Sequence, residues 1–139
     1  MKILMLYAKN EYTTAVYFED ALRRMNGVQL LTAGIGNVDL PLQQEFNLTE
    51  LLSKIEPPDI IFVPQGHAPL IIHGIELSPI ITIYYGIDTH MNKEQIFNEA
   101  KRYGLVFFAQ KPALEEFKKI KDNVYWLPLA CDPNRHMPI

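Results

Sequence analysis

The sequence has little of what several classes of protein require. Its single cysteine, Cys131, has no partner for an internal disulfide or a CxxC pair, which favours a reducing compartment, so we expect a cytoplasmic location. It has 13 Lys and Arg against 16 Asp and Glu, so it offers no basic excess for a nucleic acid or an anionic membrane. The apolar amino-terminal run is too short for a signal peptide, and we expect no membrane span.

Motifs for several common chemistries are also missing. There is no Walker-type phosphate loop, no Gly-x-Ser-x-Gly elbow, and no acidic cluster where a receiver domain would carry one. The run Gly34-Ile35-Gly36 begins like a dinucleotide fingerprint, but it lacks the third glycine and follows the second strand. We interpret it as a pair of loop glycines and expect no cofactor.

What the sequence does contain is a regular alternation of two periods. At 139 residues and 48% hydrophobic composition the chain is long enough for one domain with a substantial core. Apolar runs predict strands at 2–8, 28–33, 60–64, 80–86, 105–109 and 124–127. Helical periodicity predicts helices or helical turns at 13–25, 48–55, 70–74, 92–103 and 112–120.

This alternation is typical of a single α/β domain with a Rossmann-like, doubly wound, parallel six-stranded sheet. Right-handed crossovers predict the strand order 3-2-1-4-5-6, with the switch point between the first strand and the strand at 80–86.

The strand at 80–86 is the element around which we expect the site to form. Its β-branched run has no polar alternation, which predicts a strand covered on both faces by helices. It stops at Gly86 and is followed by Asp88 and His90, just past the carboxyl end where such sheets bind ligands. We predict that Asp88 and His90 are catalytic, as a base and the group that orients it. Two alternatives stay open: Asp88 as a turn cap, and His90 as an exposed loop residue.

Further polar residues follow the other predicted strands. We predict that they bind substrate: Lys9, Asn10, Gln65, His67, Gln110 and Lys111. Imidazoles, amides and cations around one crevice suit a hydroxyl-rich or phosphorylated small molecule. His67 fits a plain turn equally well, and His73 lies among isoleucines, as a structural histidine would. No third ligand accompanies Asp88 and His90 at a recognisable spacing, so no metal site is predicted.

Three segments carry a family resemblance. They are Tyr85 to His90, Phe107 to Lys111, and Trp126 to His136, whose Trp-Leu-Pro-Leu-Ala-Cys-Asp-Pro stretch is the most specific. Together they resemble the amino-terminal half of CgeB-like (spore maturation type) glycosyltransferases. The resemblance covers nearly the whole chain and is strongest from Pro58 onward.

The resemblance implies one half of a two-domain GT-B glycosyltransferase. Residues 1–133 would be the acceptor-side domain, and residues 134–139 would begin the hinge to a donor-binding domain that this chain lacks. The implied partners are a hydroxyl-bearing acceptor and, through that second domain, a nucleotide-sugar donor. Two other hypotheses remain: a stand-alone Rossmann-like binding module without catalysis, and an oligomeric scaffold with an exposed apolar patch.

Overall fold

Strands and helices alternate along the chain in the computed structural model, which describes residues 1–66 and 68–136. The strands are β1 (Lys2–Ala8), β2 (Gln29–Ile35), β3 (Leu40–Pro41), β4 (Glu45–Asn47), β5 (Ile60–Pro64), β6 (Ile71–His73), β7 (Ile81–Gly86), β8 (Leu105–Phe108) and β9 (Val124–Trp126). The helices are α1 (Thr14–Arg24), α2 (Leu48–Leu52), α3 (Thr89–Ala100) and α4 (Lys111–Phe117), with a 3₁₀ turn at Ile75–Leu77. No helix in these two ranges is long and apolar enough to cross a bilayer.

Seven strands form one sheet in the order β3-β2-β1-β5-β7-β8-β9. Every adjacent pair in it is parallel. The α/β, Rossmann-like, doubly wound class is therefore confirmed. The six predicted strands correspond to β1, β2, β5, β7, β8 and β9, and the two-residue β3 is an additional seventh.

The predicted strand order is wrong for β5. The order 3-2-1-4-5-6 placed Ile60–Pro64 outside β2, whereas β5 pairs with β1 and β3 takes the place beyond β2. The prediction failed because Leu40–Pro41 has no apolar run by which to recognise a strand. The switch point consequently lies between β1 and β5, and not between β1 and β7.

The sheet has a different cover on each face. On one face, here called the α1 face, Met5 and Tyr7 pack against Ala15 and Phe18 of α1. The larger core lies on the opposite α3 face, where α2, α3, α4 and the 3₁₀ turn cover the sheet with Leu48, Leu51, Ile75, Ile96, Phe97, Leu114 and Phe117. The carboxyl ends of the parallel strands meet between these covers, at one edge.

The expectation that helices cover both faces of β7 is wrong. On the α3 face Thr82 and Tyr84 are buried, but on the α1 face Ile81 is 54% exposed. α1 reaches only the last part of β7, where the ring centroids of Phe18 and Tyr85 are 5.0 Å apart. The helix lies mainly against β1 and β2, so the amino-terminal part of β7 stays open on this side.

The helical turn predicted at 70–74 is also wrong. Residues Ile71–His73 are extended as β6 and pair in parallel with β4 in a separate two-stranded sheet. Ile72 is fully buried, while His73 is exposed with its Nε2 2.7 Å from Glu45 Oε1. The side chains of Ile71, Ile72 and His73 are exposed, buried and exposed in turn, as in a strand. Three residues are too few for this period to be recognised in the sequence.

Gly34 lies within β2, although the sequence placed it in a loop. Its φ is +139°, and a Cβ there would lie 2.1 Å from the carbonyl oxygen of Tyr7 in β1. A Cβ on Gly36, just after β2, would lie 2.8 Å from the carbonyl oxygen of Lys9. The two glycines therefore let β2 approach β1 closely at the carboxyl edge of the sheet.

The last described residues return to α1. Arg24 Nη2 lies 3.0 Å from Asp132 Oδ2, and Arg135 Nε donates to Asp20 Oδ2 at 2.8 Å. Two of the four bonding residues belong to α1, so the turn at 132–136 is fastened to the domain. Residues 137–139 of the predicted hinge lie outside the described residues, and the boundary at 133 stays a prediction.

Candidate functional site

A cleft of about 1080 Å³ opens on the α3 face at the carboxyl edge of the sheet. It lies over the ends of β1, β5 and β7, between α3 and the segment at 68–71. This position includes the switch point between β1 and β5, where chain connections leave the sheet in opposite directions and ligands of such folds bind. The cleft is therefore the candidate site.

The floor of the cleft is apolar except for one hydroxyl. Leu6, Val63 and Ile96 line it together with Tyr84, which is only 4% exposed. The Tyr84 ring packs against that of Tyr103 with centroids 5.1 Å apart. Burial raises the pKa of Tyr84 well above its ordinary value, and the charge of Glu99 raises it further. The Tyr84 hydroxyl thus stays protonated and can donate a hydrogen bond.

One wall of the cleft is a polar row on α3 and the residues that follow it. Asn92, Gln95, Asn98, Glu99 and Arg102 line the cleft, and those from Gln95 onward recur every three or four residues, so they share one side of the helix. The helix begins at Thr89, earlier than the predicted start at Asn92. Helical geometry is interrupted at Asn92, whose φ is −138° and ψ 49°. The predicted beginning of the helix is thus a kink inside α3.

The two cations among the described residues of the cleft are both paired. Arg102 Nη2 lies 2.9 Å from Glu76 Oε2, and its Nη1 lies 3.1 Å from Glu99 Oε2. Lys93 Nζ lies 2.9 Å from Glu116 Oε1. Glu94 also lines the cleft and forms no ion pair with any residue in the described ranges. The cleft therefore has no excess positive charge.

The predicted site residues that the structure describes emerge at a single edge, because β1, β5, β7 and β8 all end there. Of the described ones, only Gln65 lines the cleft. Its Oε1 accepts a hydrogen bond from the Ile87 backbone N–H at 2.7 Å, which ties the loop after β5 to the loop after β7. His67 lies outside the described residues.

The other predicted binding residues hold their loops in place. Lys9 Nζ lies 2.8 Å from Glu19 Oε2 of α1, away from the cleft. The remaining contacts join Asn10 Oδ1 to the Tyr12 N–H at 3.1 Å, Gln110 Oε1 to the Thr89 hydroxyl at 3.3 Å, and Lys111 Nζ to the Trp126 ring at 5.8 Å from its centroid. These contacts give each side chain a structural role at the edge.

Asp88 and His90 lie at the beginning of α3, are both exposed, and do not line the cleft. Neither side chain hydrogen-bonds to another residue of the described part of the chain, and Asp88 does not cap the helix through its side chain. Asp88 is the one non-glycine residue of that part with a positive φ, at 54°. Its backbone is thus held in a left-handed conformation with no side-chain contact to compensate.

Replacing Asp88 by glycine is expected to stabilise the protein by up to about 1 kcal/mol, because glycine adopts this backbone conformation without a steric penalty. Asp88→Ala should instead lower the free energy of unfolding by about 1 kcal/mol, since alanine tolerates the left-handed region less well than aspartate. Urea unfolding of the two variants checks this. A loss of stability in Asp88→Gly would show that the carboxylate makes a stabilising contact.

An ionic network around the buried Glu19 lies behind the edge on the α1 face. Glu19 is 4% exposed and accepts hydrogen bonds from the Tyr7 hydroxyl, from Lys9, and from Arg23 Nε at 2.9 Å. Arg23 also bonds to Asp39 at 2.9 Å. Burial by itself raises the pKa of Glu19, but the bonds from Lys9, Tyr7 and Arg23 outweigh it and hold that pKa below its ordinary value. Glu19 is therefore a charged structural anchor.

Sequence reasoning missed the residues that do line the cleft, above all Tyr84 and the polar row of α3. The row was visible as amide residues spaced three or four apart, but the polar side of an amphipathic helix ordinarily faces solvent. Tyr84 lies inside a hydrophobic run, which predicts a covered strand and gives no sign of a cavity. Only the cavity beside α3 distinguishes these side chains from ordinary surface and core residues.

Among the described residues, no three His, Cys, Asp or Glu side chains are grouped closely enough to hold a metal ion. Comparison of the chain with protein-family models, with curated proteins and with solved structures finds no match.

Proposed function

We propose that this chain is the acceptor-binding domain of a GT-B type glycosyltransferase. In this proposal the cleft at the switch point holds a hydroxyl-bearing acceptor, and a second domain presents a nucleotide-sugar donor. The observation that carries the proposal is the position and lining of the cleft, where a tyrosine hydroxyl, amides and Gln65 surround an apolar floor. The resemblance of the three sequence segments supports the same family, and the reaction belongs to the cytoplasm.

The reaction transfers a glycosyl group to an acceptor oxygen. A base takes the proton of the acceptor hydroxyl, the oxygen bonds to the anomeric carbon, and the bond from that carbon to the phosphate oxygen breaks. Asp88 and His90 are the proposed base and its orienting group. They are exposed at the edge that carries the cleft and do not line it, so the proposal requires an acceptor whose reacting hydroxyl projects from the cleft towards this edge.

A second candidate is a binding module without catalysis. The specific observation in its favour is that Asp88 and His90 do not line the cleft, which leaves its ligand without either proposed base among the lining residues. Binding needs only the floor and the polar row. The two candidates therefore differ in whether Asp88 and His90 act on the bound ligand.

The proposal is tested by nuclear magnetic resonance titration of the isotope-labelled chain. Sugars and polyols should shift the amide resonances of residues 91–102 and of Gln65 and Gly66, whereas nucleoside diphosphates and nucleotide sugars should leave them unchanged. Shifts at the cleft caused by nucleotides would contradict an acceptor-side role.

Transfer from nucleotide sugars is then measured in the complete gene product with an Asp88→Ala, His90→Ala double variant. Loss of transfer with retained acceptor binding supports the enzyme. Acceptor binding without any transfer by the unaltered protein supports the binding module.

A further inference from the structure

We infer that the ligand of the cleft is a neutral polyhydroxylated compound, a sugar or polyol without a phosphate or carboxylate, whose hydroxyls bind to Tyr84 and to the polar row of α3. The inference rests on the proposed function in taking the cleft as the acceptor site, and it specifies the chemical class of the acceptor. Three features of the cleft support it.

The first feature is the Tyr84 hydroxyl. Tyr84 is nine-tenths buried and lines the cleft, yet its hydroxyl has no hydrogen-bonding partner among the described residues. No fully buried side-chain oxygen or nitrogen of those residues lacks a partner, so the Tyr84 hydroxyl retains some accessible surface. Because Tyr84 lines the cleft, we infer that this hydroxyl is accessible from the cleft. The hydroxyl is largely shielded from solvent and has no partner among the described residues, so a ligand oxygen in the cleft can supply one.

The second feature is the pairing of the charges. A phosphate would have to compete with Glu76 and Glu99 for Arg102, and with Glu116 for Lys93. Glu94 would repel it. Anion sites in proteins instead offer uncompensated cations or groups of free backbone N–H donors. The lining therefore disfavours an anion, whereas a neutral ligand disturbs none of these pairs.

The third feature is the combination of amides with an apolar floor. The side-chain amides of Asn92 and Gln95 each offer donors and an acceptor, and neither bonds to another side chain of the described part of the chain. Glu99 is 30% exposed at its side chain and retains acceptor capacity beside its bonds to Arg102 and Tyr103. Hydroxyls can both donate and accept, and the C–H faces of a sugar ring can pack on Leu6, Val63 and Ile96.

The experiment measures binding of a panel of neutral mono- and disaccharides and polyols, together with the monophosphate esters of the same compounds. Calorimetry gives the affinities, and amide resonances of residues 91–102 locate the binding. The neutral compounds should bind at the cleft, and each ester should bind about tenfold more weakly or not at all.

The variant Tyr84→Phe keeps the ring that packs on Tyr103 and removes only the hydroxyl. It should fold normally and bind the best neutral compound about five- to tenfold more weakly, as expected for one lost hydrogen bond. Tyr125→Phe is the matched control, because Tyr125 is 50% exposed on β9 and does not line the cleft. It should bind like the unaltered protein.

Each outcome decides the inference. Tighter binding of the esters would overturn it while leaving the acceptor-binding function in place. Equal binding by Tyr84→Phe and the unaltered protein, or no shift at the cleft with any member of the panel, would also overturn it. Shifts at the cleft caused by nucleotides alone would remove the proposed function itself, so the two failures are distinguishable.

Discussion

Gly34→Ala is expected to lower the free energy of unfolding by about 4 kcal/mol, the largest loss predicted for this protein. Two costs add. The φ of +139° is one that side-chain-bearing residues rarely adopt, and the new Cβ would lie 2.1 Å from the carbonyl oxygen of Tyr7 and 3.0 Å from its carbonyl carbon. Both atoms belong to the backbone of β1, which is held between β2 and β5 and cannot move aside.

The matched control is Gly27→Ala. Gly27 also has a positive φ, +78°, but nothing lies within 4 Å of the position that a Cβ would take. This variant should lose only about 1 kcal/mol, the cost of the backbone conformation. Urea unfolding of both variants separates steric overlap from conformational strain. Similar losses in the two would mean that β1 and β2 are less closely apposed than the structure shows.

The second large effect is expected for Glu19→Gln, which should lower the free energy of unfolding by about 3 kcal/mol at pH 7. The substitution keeps the shape of the side chain but removes the charge that Lys9 and Arg23 share. It also places an amide donor against one of these cations. Arg23 is 40% exposed at its side chain and retains Asp39, so the loss stays below that of a wholly buried pair.

The same residue makes stability depend on pH. Because the pKa of Glu19 is lower in the folded protein than in the unfolded chain, its contribution is complete above about pH 4.3, the unfolded value. That contribution is lost as the pH falls through the lower folded value. Urea unfolding between pH 7 and pH 3 should therefore show a smaller acid-induced loss of stability in Glu19→Gln than in the unaltered protein.

Glu115→Gln is the control for Glu19→Gln. Glu115 is exposed on α4 and forms no ion pair with another described residue, so its replacement should change stability little at either pH. An acid-induced loss in Glu19→Gln as large as in the unaltered protein would show that the titration of Glu19 does not stabilise the fold.

The sequence predicted the fold class because the local signals were strong. Six strands lie in predominantly apolar runs of the sequence, and Asn47 with Glu50 marks the beginning of α2, where Asn47 Oδ1 accepts from the Glu50 N–H at 3.2 Å. The strands that the sequence missed or assigned wrongly are short. Leu40–Pro41 and Ile71–His73 are strands only because a neighbouring strand supplies their hydrogen bonds, which no local pattern reveals.

The sequence predicted at which edge of the sheet the site lies, but not which side chains line it. Parallel strands bring Gln65, Asp88 and Gln110 to one side of the sheet, as expected, but which loop side chains face a cavity depends on packing between distant segments. Gln65 and Gln110 bind neighbouring loops, and Lys9 turns to Glu19 on the opposite face. Their residue types suit a ligand and a structural contact alike, so residue type alone does not show which side chains face the cavity.

The place of β1 in the sheet has a consequence for biosynthesis. β1 precedes all other strands along the chain but lies inside the sheet, so one of its edges is paired only when β2 has left the ribosome and the other only after β5 has followed. During that interval β1 has an unpaired edge. It carries Leu4, Met5 and Leu6, which have no exposed surface in the folded protein. The nascent chain is then most open to aggregation and to capture by chaperones.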